Sequence, residues 1–167
     1  IVFIGPCSAK KQEVAEPGLK GWVDYVLTFE EVTAMFDARN IDLENIEPAE
    51  TYYEASSDGR GFAISSGVLA AVINVIKEKH PEIDVQSEKA ESLSECRKLL
   101  LRAKMGKRAR FILEGMACPG GCIGGAGTMI NQNKASKKVK DFAAESSKKS
   151  ALDTYKDRYE TEKLANN

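Results

Sequence analysis

The string Cys118-Pro-Gly-Gly-Cys-Ile-Gly-Gly-Ala-Gly127 packs five glycines into ten residues. Such a run neither propagates a helix nor fills a strand. It has to be a loop whose backbone turns tightly or lies close against something. The residues before it, Arg110-Phe-Ile-Leu113, read as a strand. The chain opens in the same way: Ile1-Val-Phe-Ile4 reads as a buried strand that stops at Gly5-Pro6 and is followed at once by Cys7. In α/β proteins, ligands gather at loops beyond the carboxyl ends of parallel strands. Two cysteine-bearing loops of this kind limit the folds open to the chain.

The stretches between them alternate in period. Val23 to Leu27 is β-branched-rich and reads as a strand. Thr28 is a good N-cap, and Glu31 can complete a capping box, so a helix is expected from about Phe29 to Arg39, burying Val32, Met35 and Phe36. Ile41 to Gly61 is polar and irregular, with Tyr52 and Tyr53 as expected anchors. Phe62-Ala-Ile64 is expected to be extended. Ser65-Ser-Gly67 then turns into a helix over Val68 to Lys79, closed by His80-Pro81. A short strand is expected at Ile83 to Gln86. A helix over Leu93 to Lys104 carries Leu93, Cys96, Leu99 and Leu100 on one face and stops at Gly106. Alternating strands and helices imply an α/β fold with a mostly parallel sheet flanked by helices. If the strands before Cys7 and Cys118 are neighbours, three thiols meet at one sheet edge.

The bulk properties exclude more than they assign. With 43% hydrophobic residues in 167, the chain can bury a core as one domain or part of one. A net charge of −1 gives no strong field for nucleic acid or an anionic membrane, so neither partner is expected. No apolar run is long enough for a membrane span, and no signal peptide is evident. The four cysteines do not form a secreted disulfide framework, and three of them sit in loops after strands. Metal ligation in a reducing compartment, the cytoplasm, is the expectation. From Asn131 to Asn167 the sequence turns rich in Lys, Glu, Ser and Ala. This is expected to be a lightly packed polar helical tail: a weak stripe at Val139, Phe142 and Ala143, then a second helix over Ala151 to Leu164.

Thiolates are soft ligands that suit iron–sulfur clusters, zinc or copper(I). Cys118 and Cys122 are separated by Pro-Gly-Gly, which lets the backbone curl around a cluster corner. Nearby glycines bring backbone N–H groups close to inorganic sulfides, where hydrogen bonds tune potential. A zinc site would more often show two close cysteine pairs, or Cys with His. The single histidine, His80, lies at a helix end, so an iron–sulfur site is favoured. Two incidental thiols in a loop remain the plain alternative for the bare spacing.

The wider strings carry a resemblance. Glu114-Gly-Met-Ala-Cys118-Pro-Gly-Gly-Cys122-Ile-Gly-Gly-Ala-Gly127 resembles the third signature of the iron-only (FeFe) hydrogenases, E-x-M-A-C-x-x-G-C-x-x-G-G-G. Gly5-Pro-Cys7-Ser-Ala-Lys10-Lys-Gln-Glu13 resembles the second, M-P-C-x-x-K-x-x-E. Val23 to Leu27 and the Thr-x-x-Glu after it resemble the family segment just past the second signature. The resemblance spans residues 1–130 and implies the C-terminal part of the two-lobed catalytic domain of that family, followed by the polar tail over 131–167. In that family the active site, the H-cluster, is a 4Fe-4S cubane joined through a cysteine sulfur to a two-iron unit carrying CO and cyanide. It splits dihydrogen heterolytically, or makes it. Carried over by position, Cys7 and Cys118 would ligate the cubane and Cys122 would bridge it to the two-iron unit. Lys10 would hydrogen-bond a cyanide and Glu13 would support it, pairing with a lysine. Met116 would pack beside the diatomic ligands, while Pro6 and Gly121 would shape the pocket. Dihydrogen and protons, an electron carrier such as ferredoxin, and maturation proteins for the two-iron unit are the implied partners.

The departures from the family pattern set further expectations. The first signature, T-S-C-C-P-x-W, with the fourth cubane ligand and the proton-relay thiol, is not in this sequence. The chain also opens in mid-strand without Met. It is therefore expected to be a fragment that lacks the full cluster and is inactive by itself. Gly5 stands where the second signature has Met, Ala126 replaces a glycine, and Thr128 stands where many members continue with Gln-Pro. These changes resemble divergent, hydrogen-sensing branches. Non-catalytic hydrogenase-like iron–sulfur proteins of eukaryotes, and a zinc-bound or metal-free structural domain, are the other readings. Cys96 is expected in the core, His80 at a cap or in solvent, Trp22 as a loop anchor, and Lys134 to Lys140 on a solvated face. Ser65-Ser-Gly67 resembles turns that approach the cluster in the family.

Overall fold

The computed structural model describes residues 1–47 and 55–155. It is a mixed α/β arrangement in which helices flank two short parallel sheets. β1 (Val2–Ile4) pairs with β2 (Tyr25–Leu27), with Phe3 opposite Val26. β3 (Gln86–Glu91) pairs with β4 (Phe111–Met116), with Glu91 opposite Met116. Among the described residues, β1 and β4 therefore belong to different sheets. Parallel pairing flanked by helices is as expected, but the condition that the strands before Cys7 and Cys118 be neighbours is not met.

The helices are α1 (Lys10–Glu13), α2 (Phe29–Ala38), α3 (Ser57–Arg60), α4 (Gly67–Lys79), α5 (Leu93–Lys104) and α6 (Gln132–Ala144). The start of α2 follows the sequence closely. Thr28 accepts from the Glu31 N–H at 3.3 Å, and Glu31 accepts from the Thr28 N–H at 2.8 Å, a complete capping box. Lys11 reaches across from α1 to Glu31 at 2.7 Å. That ammonium and the Thr28 N–H hold the Glu31 carboxyl below its ordinary range. Thr28→Ala removes the buried cap and is expected to cost about 1 kcal/mol, read as a lowered unfolding midpoint.

Several sequence expectations move. The apolar face of α2 is less buried than its pattern suggests: Val32 and Phe36 are half-buried and Met35 is exposed. Phe62 and Ala63 lie in a 3-10 turn, not an extended segment, because α3 runs straight into it. β3 begins at Gln86, where the expected strand ended. Its sequence, Gln-Ser-Glu-Lys-Ala-Glu, is polar, and pairing with β4 rather than propensity makes it a strand. On α5 only Leu99 is buried, while Leu93 and Leu100 are exposed. Cys96 is half-buried, its Sγ near the carbonyls of Ala90 and Met116, as a small core residue would be. Trp22, expected as a loop anchor, is 71% exposed. The β1 side chains, expected to be buried, are exposed too, because among the described residues β1 gains only β2 as a strand neighbour.

Among the described residues the buried apolar ones are few: Val26, Leu69, Ala71, Ala90, Leu99, Ile123 and Ala135. The helix of the polar tail, α6, contributes one of them, and packs on α3 through Arg60, which lies over the Phe142 ring at 4.1 Å and donates to its carbonyl. Lys134, Lys137, Lys138 and Lys140 face solvent. Residues 151–155 are helical; the rest of the expected second tail helix, with Tyr52 and Tyr53, lies outside the described residues. Among the described residues no helix is long and apolar enough to cross a membrane.

Candidate functional site

Strand ends place the thiols, and loop packing brings them together. β1 ends at Ile4, and Gly5 N–H donates to the Leu27 carbonyl, extending the ladder by one bond before Pro6 and Cys7 turn away. β4 ends at Met116, and the glycine-rich loop leaves from there. The two loops meet although their strands do not pair. Gly127 N–H donates to the Pro6 carbonyl at 2.9 Å, and Gly125 lies so close to that carbonyl that a Cβ would strike it. The glycines thus make an approach of backbone to backbone possible.

Within the loop the backbone closes on itself. Gly121 N–H donates to the Cys118 carbonyl at 3.0 Å, and Gly125 N–H to the Cys122 carbonyl at 2.9 Å. Gly121 has φ +92°, and a Cβ there would meet Ser65 N at 2.5 Å and the Ala63 carbonyl at 2.8 Å. Only glycine satisfies both the torsion and the space. The Ser65-Ser-Gly67 turn therefore lies directly against the thiol loop, with Ser65 N–H donating to the Gly120 carbonyl at 2.9 Å.

Cys122 is exposed at its surface, yet partial burial of its sulfur pushes the thiol above its ordinary range, the charges of Cys7 and Cys118 push it further, and Lys10 opposes them. Those four groups therefore share one electrostatic neighbourhood. Lys10 starts α1, three residues after Cys7, and forms an ion pair with Glu13. Met116 sits half-buried at the end of β4, its carbonyl accepting from Ser92 N–H. His80 stands apart, exposed and within 3.2 Å of Glu82, and Cys96 faces carbonyls elsewhere. Among the described residues no cluster of three or more His, Cys, Asp or Glu is placed to hold a single metal ion.

Two carboxylates that sequence reasoning gave no role support the loop. Glu114 of β4 is buried and accepts from Ser66 N–H at 2.5 Å and Leu69 N–H at 2.9 Å. It caps the start of α4 from outside the helix, where Ser66 sits at φ +75° without a side-chain cap of its own. Glu91 of β3 accepts from Gly120 N–H at 2.7 Å. An acid inside the apolar run Phe-Ile-Leu-Glu was a visible signal for Glu114. Glu91 sits in a polar stretch, and nothing in the sequence marked it.

The donor set is soft, and Cys7 and Cys118 add to the cost of ionising Cys122, which a bound cation would relieve. The glycines serve the loop's own packing, since a Cβ at Gly121, Gly124 or Gly125 would strike the backbone of Ser65, Pro119 or Pro6. The residues present fit an iron–sulfur group in their donor set.

A family model described as iron only hydrogenase large subunit, C-terminal domain, matches residues 1–126. Solved structures share the fold. One is HydA(deltaEFG), solved in work on stepwise FeFe-hydrogenase H-cluster assembly: TM-score 0.66, 20% identity, 96% of this chain and 57% of that one. A second is an FeFe-hydrogenase studied for oxygen inactivation through its H-cluster 2Fe subcluster: TM-score 0.65, 19% identity, 95% and 56%. A third is a variant of the FeFe-hydrogenase HydA1 from Chlamydomonas reinhardtii: TM-score 0.65, 18% identity, 96% and 58%. The chain thus spans less than two thirds of each of these proteins.

Proposed function

Because the chain belongs to the family of the iron only hydrogenase large subunit, C-terminal domain, we propose that it forms part of an FeFe-hydrogenase site that interconverts dihydrogen with protons and electrons. The observation that carries this reading is that the Cys7 loop and the Cys118–Cys122 loop pack together, Gly127 N–H donating to the Pro6 carbonyl, with Cys7, Cys118 and Lys10 near enough to bear on the Cys122 thiol. A cluster takes each thiolate at a separate iron, so it does not need three thiols around one ion. When bound, a 4Fe-4S cubane joined to a two-iron unit would supply the redox chemistry.

This chain's own residues do the holding. Cys7 and Cys118 would ligate the cubane, and Cys122 would bridge to the two-iron unit. Lys10, kept in place by Glu13, would donate to an anionic diatomic ligand, a charge-assisted bond. Met116 would pack beside that unit, and Pro6 and Gly121 would shape the pocket wall. The fourth cubane ligand is proposed to come from outside this sequence. Cys96, the remaining thiol, is turned to the Ala90 and Met116 carbonyls. A ferredoxin-type electron carrier, maturation proteins and a cytoplasmic setting belong to the same proposal.

One observation favours a second reading, a divergent hydrogen sensor. Where the second signature has Met, this chain has Gly5, and a Cβ there would meet the Phe3 ring at 2.9 Å. A methionine at position 5 would have to displace that ring, so the contact it would make on the two-iron unit would be missing here.

The test uses the full-length polypeptide carrying this sequence, matured with the two-iron unit. Infrared bands of CO and cyanide together with hydrogen evolution are expected, and slow turnover with strong bands would favour the sensor. Residues 1–167 alone are expected to show neither bands nor turnover. A full-length matured protein with neither would overturn both readings.

A further inference from the structure

The Cys118–Cys122 loop is fastened from three separate elements. Gly120 N–H donates to Glu91, the last residue of β3, at 2.7 Å. The Gly120 carbonyl accepts from Ser65 N–H at 2.9 Å, ahead of α4. The Pro119 carbonyl accepts from the Gln132 side-chain amide, at the start of α6, at 2.9 Å. Both the N–H and the carbonyl of Gly120 are thus held by protein groups.

Glu91 is the charged member of this set. Strand register puts it opposite Met116, two residues before Cys118. Its other oxygen pairs with Lys89 at 2.9 Å. The Gly120 N–H and the Lys89 ammonium hold its carboxyl down to about 2, so it accepts as a full anion at neutral pH. The chain leaves Glu91 through Ser92 at φ +78°, a conformation costly for a residue with a Cβ. Ser92 is held there by its N–H to the Met116 carbonyl at 2.9 Å, and its hydroxyl caps α5 at Glu95 N–H. Strain of this kind persists only where surrounding contacts over-determine it, and here those contacts tie the end of β3 to the root of the thiol loop.

We infer that Glu91 is a positioning residue of the thiol loop: its carboxylate fixes the Gly120 peptide, and with it the mutual orientation of Cys118 and Cys122, before any cluster arrives. This deepens the cluster-site reading and rests on it only for the consequence, readier loading with iron.

The experiment measures the full-length polypeptide carrying this sequence, metal-free and reduced, at one pH: amide exchange at Gly120 and iodoacetamide alkylation rates at each cysteine, in wild type, Glu91→Ala, Glu91→Gln and Lys89→Ala. Iron and sulfide uptake is measured afterwards on the same samples. Glu91→Ala is expected to speed Gly120 exchange at least about tenfold, the worth of one charge-assisted hydrogen bond. It should also accelerate alkylation of Cys118 and Cys122 while Cys96 keeps its rate. Glu91→Gln retains an accepting oxygen and is expected to return both rates to within about threefold of wild type. Lys89→Ala leaves the Gly120 bond in place and should do the same. Wild-type rates in Glu91→Ala, an equal acceleration at Cys96, or a Glu91→Gln chain that behaves like Glu91→Ala would each overturn the inference. Thiol rates as expected with no iron taken up by any variant would leave Glu91 as positioning residue and sink the cluster reading instead.

Discussion

Cys118→Ser is expected to reduce the iron and sulfide retained after anaerobic reconstitution to background, and Cys7→Ser and Cys122→Ser are expected to do the same. Serine keeps the shape of the side chain but replaces a soft thiolate with a hard, weakly acidic hydroxyl. Changes one shell further out already cost about 10–100-fold in metal affinity, and loss of a ligand exceeds that. Cys96→Ser is the internal control, because its sulfur faces the Ala90 and Met116 carbonyls and not the other thiols. The measurement is iron and acid-labile sulfide per chain after desalting, in protein shown by circular dichroism to be folded. Zinc held without sulfide, and lost on the same three substitutions, would replace the cluster reading with a structural zinc site. Iron retained by all three variants would show that the thiols are incidental.

The second large effect is Glu114→Ala. The substitution leaves Ser66 N–H and Leu69 N–H without their acceptor at the buried start of α4. Each unpaired buried donor costs about 1–3 kcal/mol, so a loss of about 3–5 kcal/mol is expected, a large part of a small domain's stability. Denaturant unfolding measures it. Glu114→Gln keeps one carbonyl acceptor and should recover about half of that loss. Because the Ser65-Ser-Gly67 turn lies against Gly121, Glu114→Ala should also raise the alkylation rate of Cys122. A midpoint unchanged in Glu114→Ala would show that α4 does not depend on this cap.

The two cysteine strings and the α2 cap were legible because each is local. Thr28 and Glu31 make their capping box within one turn, so tertiary packing neither helps nor hinders it. A loop with five glycines in ten residues has few alternatives to a tight backbone path. β3 was misplaced because Gln86–Glu91 has no apolar alternation, and only pairing with Phe111–Met116 makes it a strand. The same pairing carries Glu91 to Gly120, which no spacing rule could foresee. Met35 and Leu93 follow helical periodicity yet stay exposed, since periodicity marks a face without saying what covers it.

By itself, the sequence determined the chemistry at hand: three thiols in glycine-bearing loops after strands, an ammonium three residues beyond the first, and the family strings around them. These rest on residue type and short spacing, which the chain carries before it folds. Tertiary structure alone decided how the cysteine-bearing loops meet. Their strands lie in different sheets, and the loops come together through Gly125 and Gly127 against Pro6. It also decided which groups hold the loop, Glu91, Ser65 and Gln132, because partners 29, 55 and 13 residues away in sequence are chosen by packing and strand register. A glycine-rich loop has the freedom to adopt the ligating shape, and only contacts from elsewhere in the fold can take that freedom away.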